Sequence, residues 1–443
     1  MPTTRKLLTR FSKGELSPLL EGSPDLAVYF EGAAVIENYT IMRQGGLRRS
    51  YGTRFIQEVK DSTKDTILWP FEFSVDDAYM LEVGDFYIRI YRDKAPVLNA
   101  GVHVEVTTPF VVADIRAIHF TQSADVLFLF HDSYQQRKLN RVSDTSWTLT
   151  TQNVMPPPSF VADTDISLGS ATLTPGATTG LTITFTASAA VLLNADVGRY
   201  IVYGASLAEI VTFTDTTHVV ADIIDDFPDT NPIASGEWFL RLSPQTTLDP
   251  NKSKPVGSQV TLTAGVAAFR AADVGKYIKV YAGVILIKTF TSTTVVKGEL
   301  LNVMGETTDV NPAAAPAGAW TLEVASWSSA RGWPRTGEFF QGRLAQASTP
   351  SQKTTFWESA SDDFDNYAVG INADDAVEYT LASRQVNQIQ WLTEHAKSLM
   401  IGTSGTEHRA MGSGADNALI SGDNVPDIER LATNGVMPIQ PVI

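Results

Sequence analysis

The chain has 443 residues, and its 31 Gly and 22 Pro are ordinary usage, which excludes collagenous and low-complexity chains. With 43% hydrophobic and 19% charged residues there is apolar material for several cores, and the length predicts about three domains, fewer if one is a large β unit. Lys plus Arg total 34 against 49 Asp plus Glu, so the net charge of −15 excludes the basic footprint of a general nucleic-acid binder, and the absence of Cys excludes disulfides, thiolate nucleophiles and cysteine zinc sites. Residues 1–20 hold no continuous apolar stretch and nowhere do about 18 apolar residues run together, so neither a signal peptide nor a membrane span is expected.

Taken in chain order, Ser23 as N-cap, Pro24 at the first helical position, Asp25, and Leu26, Tyr29, Phe30 and Ala33 at helical spacing predict one short N-terminal helix ending near Asn38. Alternating strands follow at 67–73, 78–83, 86–91, 102–106, 115–120 and 125–130, and strand patterning resumes after residue 326. Short strands at this spacing suggest propeller blades or a large sandwich.

Between these halves lies a duplication. LNADVGRYI (193–201) matches RAADVGKYI (270–278), and TFTDTTHVV (212–220) matches TFTSTTVVK (289–297), both offset by 77 positions. Asp229-Thr-Asn-Pro232 matches Asp309-Val-Asn-Pro312, and Trp238 matches Trp320. In each copy an Asp-Val-Gly turn, with Gly198 or Gly275 able to take positive φ, feeds an alternating strand. The expected fold class is all-β: a β-propeller-like platform with two tandem inserted β-sandwich repeat domains. Its boundaries are 1–155 and 326–443 for the platform and 160–243 and 254–325 for the inserts, with a linker at 243–255.

Chemical motifs are sparse. The six His, at 103, 119, 131, 218, 395 and 408, show no metal-ligand spacing, and no cofactor is expected. No Gly-x-Ser-x-Gly elbow or phosphate-binding glycine loop is present; GTSGTE (402–407) and GSGADN (412–417) read as tight turns. Acidic clusters at Asp222, Asp225, Asp226, Asp229 and at Asp362, Asp363, Asp365, Asp374, Asp375 could serve a glycosidase, although solvated loop charges are the simpler reading. The eight Trp read as core residues. The basic cluster Arg48, Arg49, Arg54 could contact a partner's carboxylates or nucleic acid, or be a solvated turn.

Phe11-Ser-Lys-Gly14-Glu15-Leu16-Ser17-Pro18, the run Gly45-Gly46-Leu-Arg48-Arg49-Ser-Tyr-Gly52-Thr53-Arg54-Phe55, Trp69-Pro70-Phe71-Glu72-Phe73, Gly332-Trp333-Pro334-Arg335, Gln341-Gly342-Arg343-Leu344, Trp357-Glu358-Ser359 and Gly402-Thr403-Ser404-Gly405-Thr406-Glu407 together resemble the tail nozzle proteins of podophages, also called tail tubular protein B. Ser23 departs from the Arg common there, and the chain stops where another strand usually follows, which suggests a shortened or processed subunit. The resemblance implies a non-enzymatic virion protein, assembled in the host cytoplasm, that forms a homo-hexameric ring below the head-to-tail adaptor. Tail fibre or needle proteins would be further partners, and genomic DNA would pass through the lumen without specific binding. Phe11, Glu15, Arg48, Arg49 and Arg54 are the expected subunit or adaptor contacts, and Asp362, Asp363 and Asp365 the expected channel lining. The alternative is a carbohydrate-binding or glycosidase-type β-protein.

Overall fold

The computed structural model describes residues 9–20, 22–161, 171–305, 312–370, 372–382, 386–414, 419–424 and 426–441. The match at Asp309-Val-Asn311 and residues 415–417 of GSGADN lie outside them. Strands hold 47% of the chain and helical turns 4%, with no helix of seven residues or more among the described residues, so the class is all-β. No helix among the described residues is long and apolar enough to cross a membrane. The chain divides into two compact units, Met1–Glu58 and Val59–Ile443.

The N-terminal helix expectation is corrected. Ala27–Glu31 is a 3₁₀ turn without a side-chain cap, and Gly32–Ala33 leaves it as a strand parallel to Gly14–Glu15. Gly32 explains the choice: a Cβ there would fall 2.4 Å from Leu16 Cγ, so the close approach of the two segments takes the position a further helical turn would need.

In the second unit, four antiparallel meanders have strands paired in sequence order. The first comprises Ile67–Glu72, Ala78–Gly84, Tyr87–Arg92 and Glu105–Thr107, with Ala95–Pro96 at its edge. The second comprises His119–Ser123, Val126–His131, Tyr134–Ser143 and Ser146–Thr151. The third is Thr336–Phe340, Arg343–Ala347, Thr355–Glu358 and Val377–Thr380; the fourth is Ile389–His395, Ser398–Thr403, Glu407–Gly412 and Pro426–Ala432. The strand expected at 115–120 begins only at His119, because Ile115–Ala117 forms a 3₁₀ turn closed by Ala117 N–H on the Asp114 carbonyl.

Alternation decides which side chains meet. Trp69, Leu81 and Ile90 are cross-strand neighbours and pack with Leu127, Leu139 and Trp147 of the second meander. Phe128 and Phe130 join Leu344 of the third, and Ala345 and Phe356 join Leu392 and Leu399 of the fourth. Packing therefore runs first, second, third, fourth in series.

The duplicated region forms two curled sheets with one strand order. In the first, the succession across the sheet is Leu173–Pro175, Ile183–Ala187, His218–Asp225, Ser206–Asp215, Tyr200–Tyr203 and Trp238–Arg241. The second repeats it with Leu248–Pro250, Gln259–Ala264, Val295–Asn302, Gly283–Ser292, Tyr277–Val280 and Trp320–Ala325. Irregularities in strand register also recur at the 77-residue offset: Ile210/Thr212 in one copy corresponds to Ile287/Thr289 in the other. Gly198 and Gly275 take φ of +83° and +92°, as the turn requires. Each sheet curls until its two ends meet: Trp238 Nε1 donates to the Ala171 carbonyl at 3.1 Å, and Trp320 Nε1 to that of Thr246 at 2.7 Å. Leu248–Pro250, inside the segment read as a linker, is the first strand of the second sheet. Ser159–Phe160, on the way in, pairs antiparallel with Val324 and Ala325 on the way out.

Candidate functional site

Residues 9–58 were the main source of expected contact residues, and their structure is unusual in what it lacks. Beside the short parallel pair, Tyr39–Ile41 and Leu47–Arg49 form a hairpin whose turn is closed by Gly45 N–H on the Met42 carbonyl. Gly45 sits at φ +89°, and Phe11 N–H donates to its carbonyl at 2.7 Å. The buried positions are Gly14, Gly32 and Gly45; no described hydrophobic side chain of this unit is buried. Leu19, Val35, Tyr51 and Phe55 are exposed. Without a buried apolar side chain among its described residues, a unit of this size has little to offset its conformational entropy.

The expected contact residues are distributed over that unit. Phe11 is half-buried and borders an apolar cavity of about 450 Å³ with Leu16, Pro18, Leu20 and Tyr29. Glu15 is exposed, and its Oε2 accepts the Ile36 N–H at 3.1 Å. Arg48 and Arg49 lie on the hairpin opposite Thr40 and Tyr39, with the Arg48 guanidinium 4.4 Å from the centre of the Tyr51 ring. Arg54 is exposed in a stretch of irregular backbone. Residues 38–57 contain Arg43, Arg48, Arg49 and Arg54 and no acidic residue, so this segment is cationic within an acidic chain.

The three aspartates do not act alike. Asp365 is half-buried and receives Lys138 Nζ on both oxygens, at 2.7 and 2.8 Å, and Gln152 Nε2 at 3.0 Å. It ties the third meander to the second. Asp362, at φ +58°, and Asp363 are exposed. Of the other acidic positions, Asp229 and Asp375 close local turns by accepting Asn231 and Asn372 N–H, and Asp222 accepts Thr182 N–H from 40 positions away. Among the described residues no three His, Asp or Glu side chains come together as a metal site would require.

Sequence reasoning missed a convergence of first strands. His119 Nδ1 lies 3.0 Å from Thr336 Oγ1, Thr121 Oγ1 donates to Glu338 at 2.9 Å, and Leu392 N–H reaches Thr336 Oγ1 at 3.4 Å. These contacts join the opening strands of the second, third and fourth meanders. Burial pushes the Glu338 carboxyl up and the His119 imidazole down to about 4. Glu358 was also missed as a titrating group: it is fully buried, neither carboxylate oxygen has a hydrogen-bond partner, and burial pushes its carboxyl up to about 8. Its only sequence signal was an acidic residue in an apolar strand, TTFWES.

Comparison of the chain with protein-family models and with curated proteins finds no match.

Proposed function

We propose that the chain is a structural subunit of a bacteriophage tail, similar to the podophage nozzle proteins, whose homo-hexameric ring encloses the DNA channel below the head-to-tail adaptor. The observation that carries this reading is the N-terminal unit, with no buried apolar side chain among its described residues and with its cationic segment 38–57, an element that burial by another chain would stabilise. A closed ring covers such surfaces without open-ended growth. The four serial meanders, with the opening strand of the third touching those of the second and the fourth, support a β-propeller-like platform. The like strand orders of the two curled sheets, and the pairing of Ser159–Phe160 with the strand that leaves them, support two inserted repeat domains. In this reading the role is mechanical, with retention and release of the genome as its function.

The test is mass photometry and electron microscopy of the purified chain alone and with the cognate adaptor. A ring with a DNA-wide lumen is expected, together with its loss in R48E/R49E/R54E while circular dichroism is unchanged. A chain that stays monomeric and ignores the adaptor, or a triple variant that assembles normally, overturns the proposal.

A further inference from the structure

A groove of about 820 Å³ opens beside the third and fourth meanders, lined by Tyr379, Leu381, Asn387, Thr406, His408 and Arg430 among others. Its described lining contains no Asp or Glu, although acidic residues outnumber basic ones 49 to 34 in the chain. Strand register explains how this arises. Arg409 and Glu429 are cross-strand partners on one face and form an ion pair at 2.6 Å, whereas His408 and Arg430 are partners on the other. The acidic neighbour of Arg430 is thereby engaged with a different cation. Arg430 itself is exposed and has no ion pair among the described residues.

The rest of the described lining is neutral. Tyr379 and Ile428 lie at the margin of the core formed with Leu381 and Phe356, which supplies an apolar floor. His408 Nε2 is 2.8 Å from Thr406 Oγ1, and its Nδ1 is buried without a hydrogen-bond partner. Burial, and secondarily Arg430, push this imidazole below its ordinary value, so it is uncharged at neutral pH.

We propose that this groove binds a carboxylated sugar, its ring on Tyr379 and Leu381, its carboxylate on Arg430 and its hydroxyls on Asn387 and Thr433. Among the described lining residues Arg430 is the one positive charge, which matches one carboxylate better than a doubly charged phosphate. Several neutral donors and acceptors around an aromatic and aliphatic floor match a polyol with an apolar ring face better than a plain aliphatic acid. The groove falls within the few-hundred to about 1,000 Å³ range of small-molecule sites. This inference is independent of the ring assembly and uses none of its contact residues.

Isothermal titration calorimetry of the full chain with D-glucuronate, D-glucose, acetate and inorganic phosphate tests it. Glucuronate is expected to bind at one site per chain, with D-glucose and acetate each weaker by about tenfold or more. R430A should lose about tenfold or more in glucuronate affinity and R430K a smaller factor, with melting temperatures near that of the parent. Glucuronate that fails to bind, that binds no better than glucose, or that binds R430A unchanged overturns the proposal. Phosphate or acetate binding as tightly as glucuronate overturns the sugar assignment and leaves a simple anion site.

Discussion

Arg270 of the second curled sheet donates through Nη2 to the buried carboxylate of Asp196 in the first, at 2.7 Å. The other oxygen of Asp196 accepts from Arg199 Nη1, also at 2.7 Å, and Leu193 N–H reaches the same carboxylate at 2.8 Å. Arg270 also donates to the Val191 carbonyl. The equivalent acid of the second copy, Asp273, has Lys276 Nζ at 3.0 Å and Arg270 N–H at 2.7 Å. One copy of the duplicated turn therefore closes only its own sheet, and the other also clasps its neighbour.

Removing that clasp should separate the two copies energetically. Asp196→Ala leaves Arg199 buried without a counter-charge, and a broken buried pair costs about 3–5 kcal/mol. Asp273→Ala should cost less, because Lys276 keeps access to solvent. Urea denaturation of the two variants measures the difference; equal losses would contradict this account.

The two tryptophan closures should be equivalent. Trp238→Phe and Trp320→Phe each remove the donor to a carbonyl at the opposite end of the same curled sheet and leave a small void. A loss of about 2–3 kcal/mol in each is expected from denaturation curves. A neutral effect at either site would show that this sheet closes by other means.

Glu358 should make stability fall as pH rises. Its folded value of about 8 exceeds the ordinary carboxyl value, so the native state holds a proton that the unfolded chain releases. The favourable contribution is complete below about pH 4 and is lost progressively up to about pH 8, above which the slope ends. Glu358→Gln should flatten this limb in melting temperatures recorded from pH 5 to 9. An unchanged slope in that variant would assign the pH dependence elsewhere.

His119 acts in the opposite direction. Its imidazole is held neutral down to about pH 4, so the unfolded chain takes up a proton first as pH falls below about 6.5. Its contribution is present above that value and is lost as pH drops toward 4. His119→Asn should reduce the acid-side slope between pH 6.5 and 4, read from the same melts.

Among the three aspartates expected at the channel, substitution should have unequal effects. Asp365→Lys sets two ammonium groups together at Lys138 and should lower the melting temperature, whereas Asp363→Lys should stay within about 0.5 kcal/mol of the parent. Only Asp362 and Asp363 are therefore suited to testing whether acidity affects DNA passage. Equal destabilisation by both lysine variants would contradict the role given to Asp365.

Local chemistry was legible in the amino-acid sequence wherever a few neighbouring residues settle the backbone. Alternating apolar runs such as 78–83 became strands because one face of each is covered, and the Asp-Val-Gly turns recur because Gly198 and Gly275 meet the same positive-φ requirement in both copies. The helical spacing of Leu26, Tyr29 and Phe30 misled because the pairing of Gly14–Glu15 with Gly32–Ala33 outweighs a short local propensity. The tertiary structure alone decided the capture of Asp365 by Lys138, 227 positions away, the clasp of Asp196 by Arg270, and the isolation of Glu358. Each depends on which face of one sheet meets another, and a period-two pattern states that a strand has a covered face without stating what covers it.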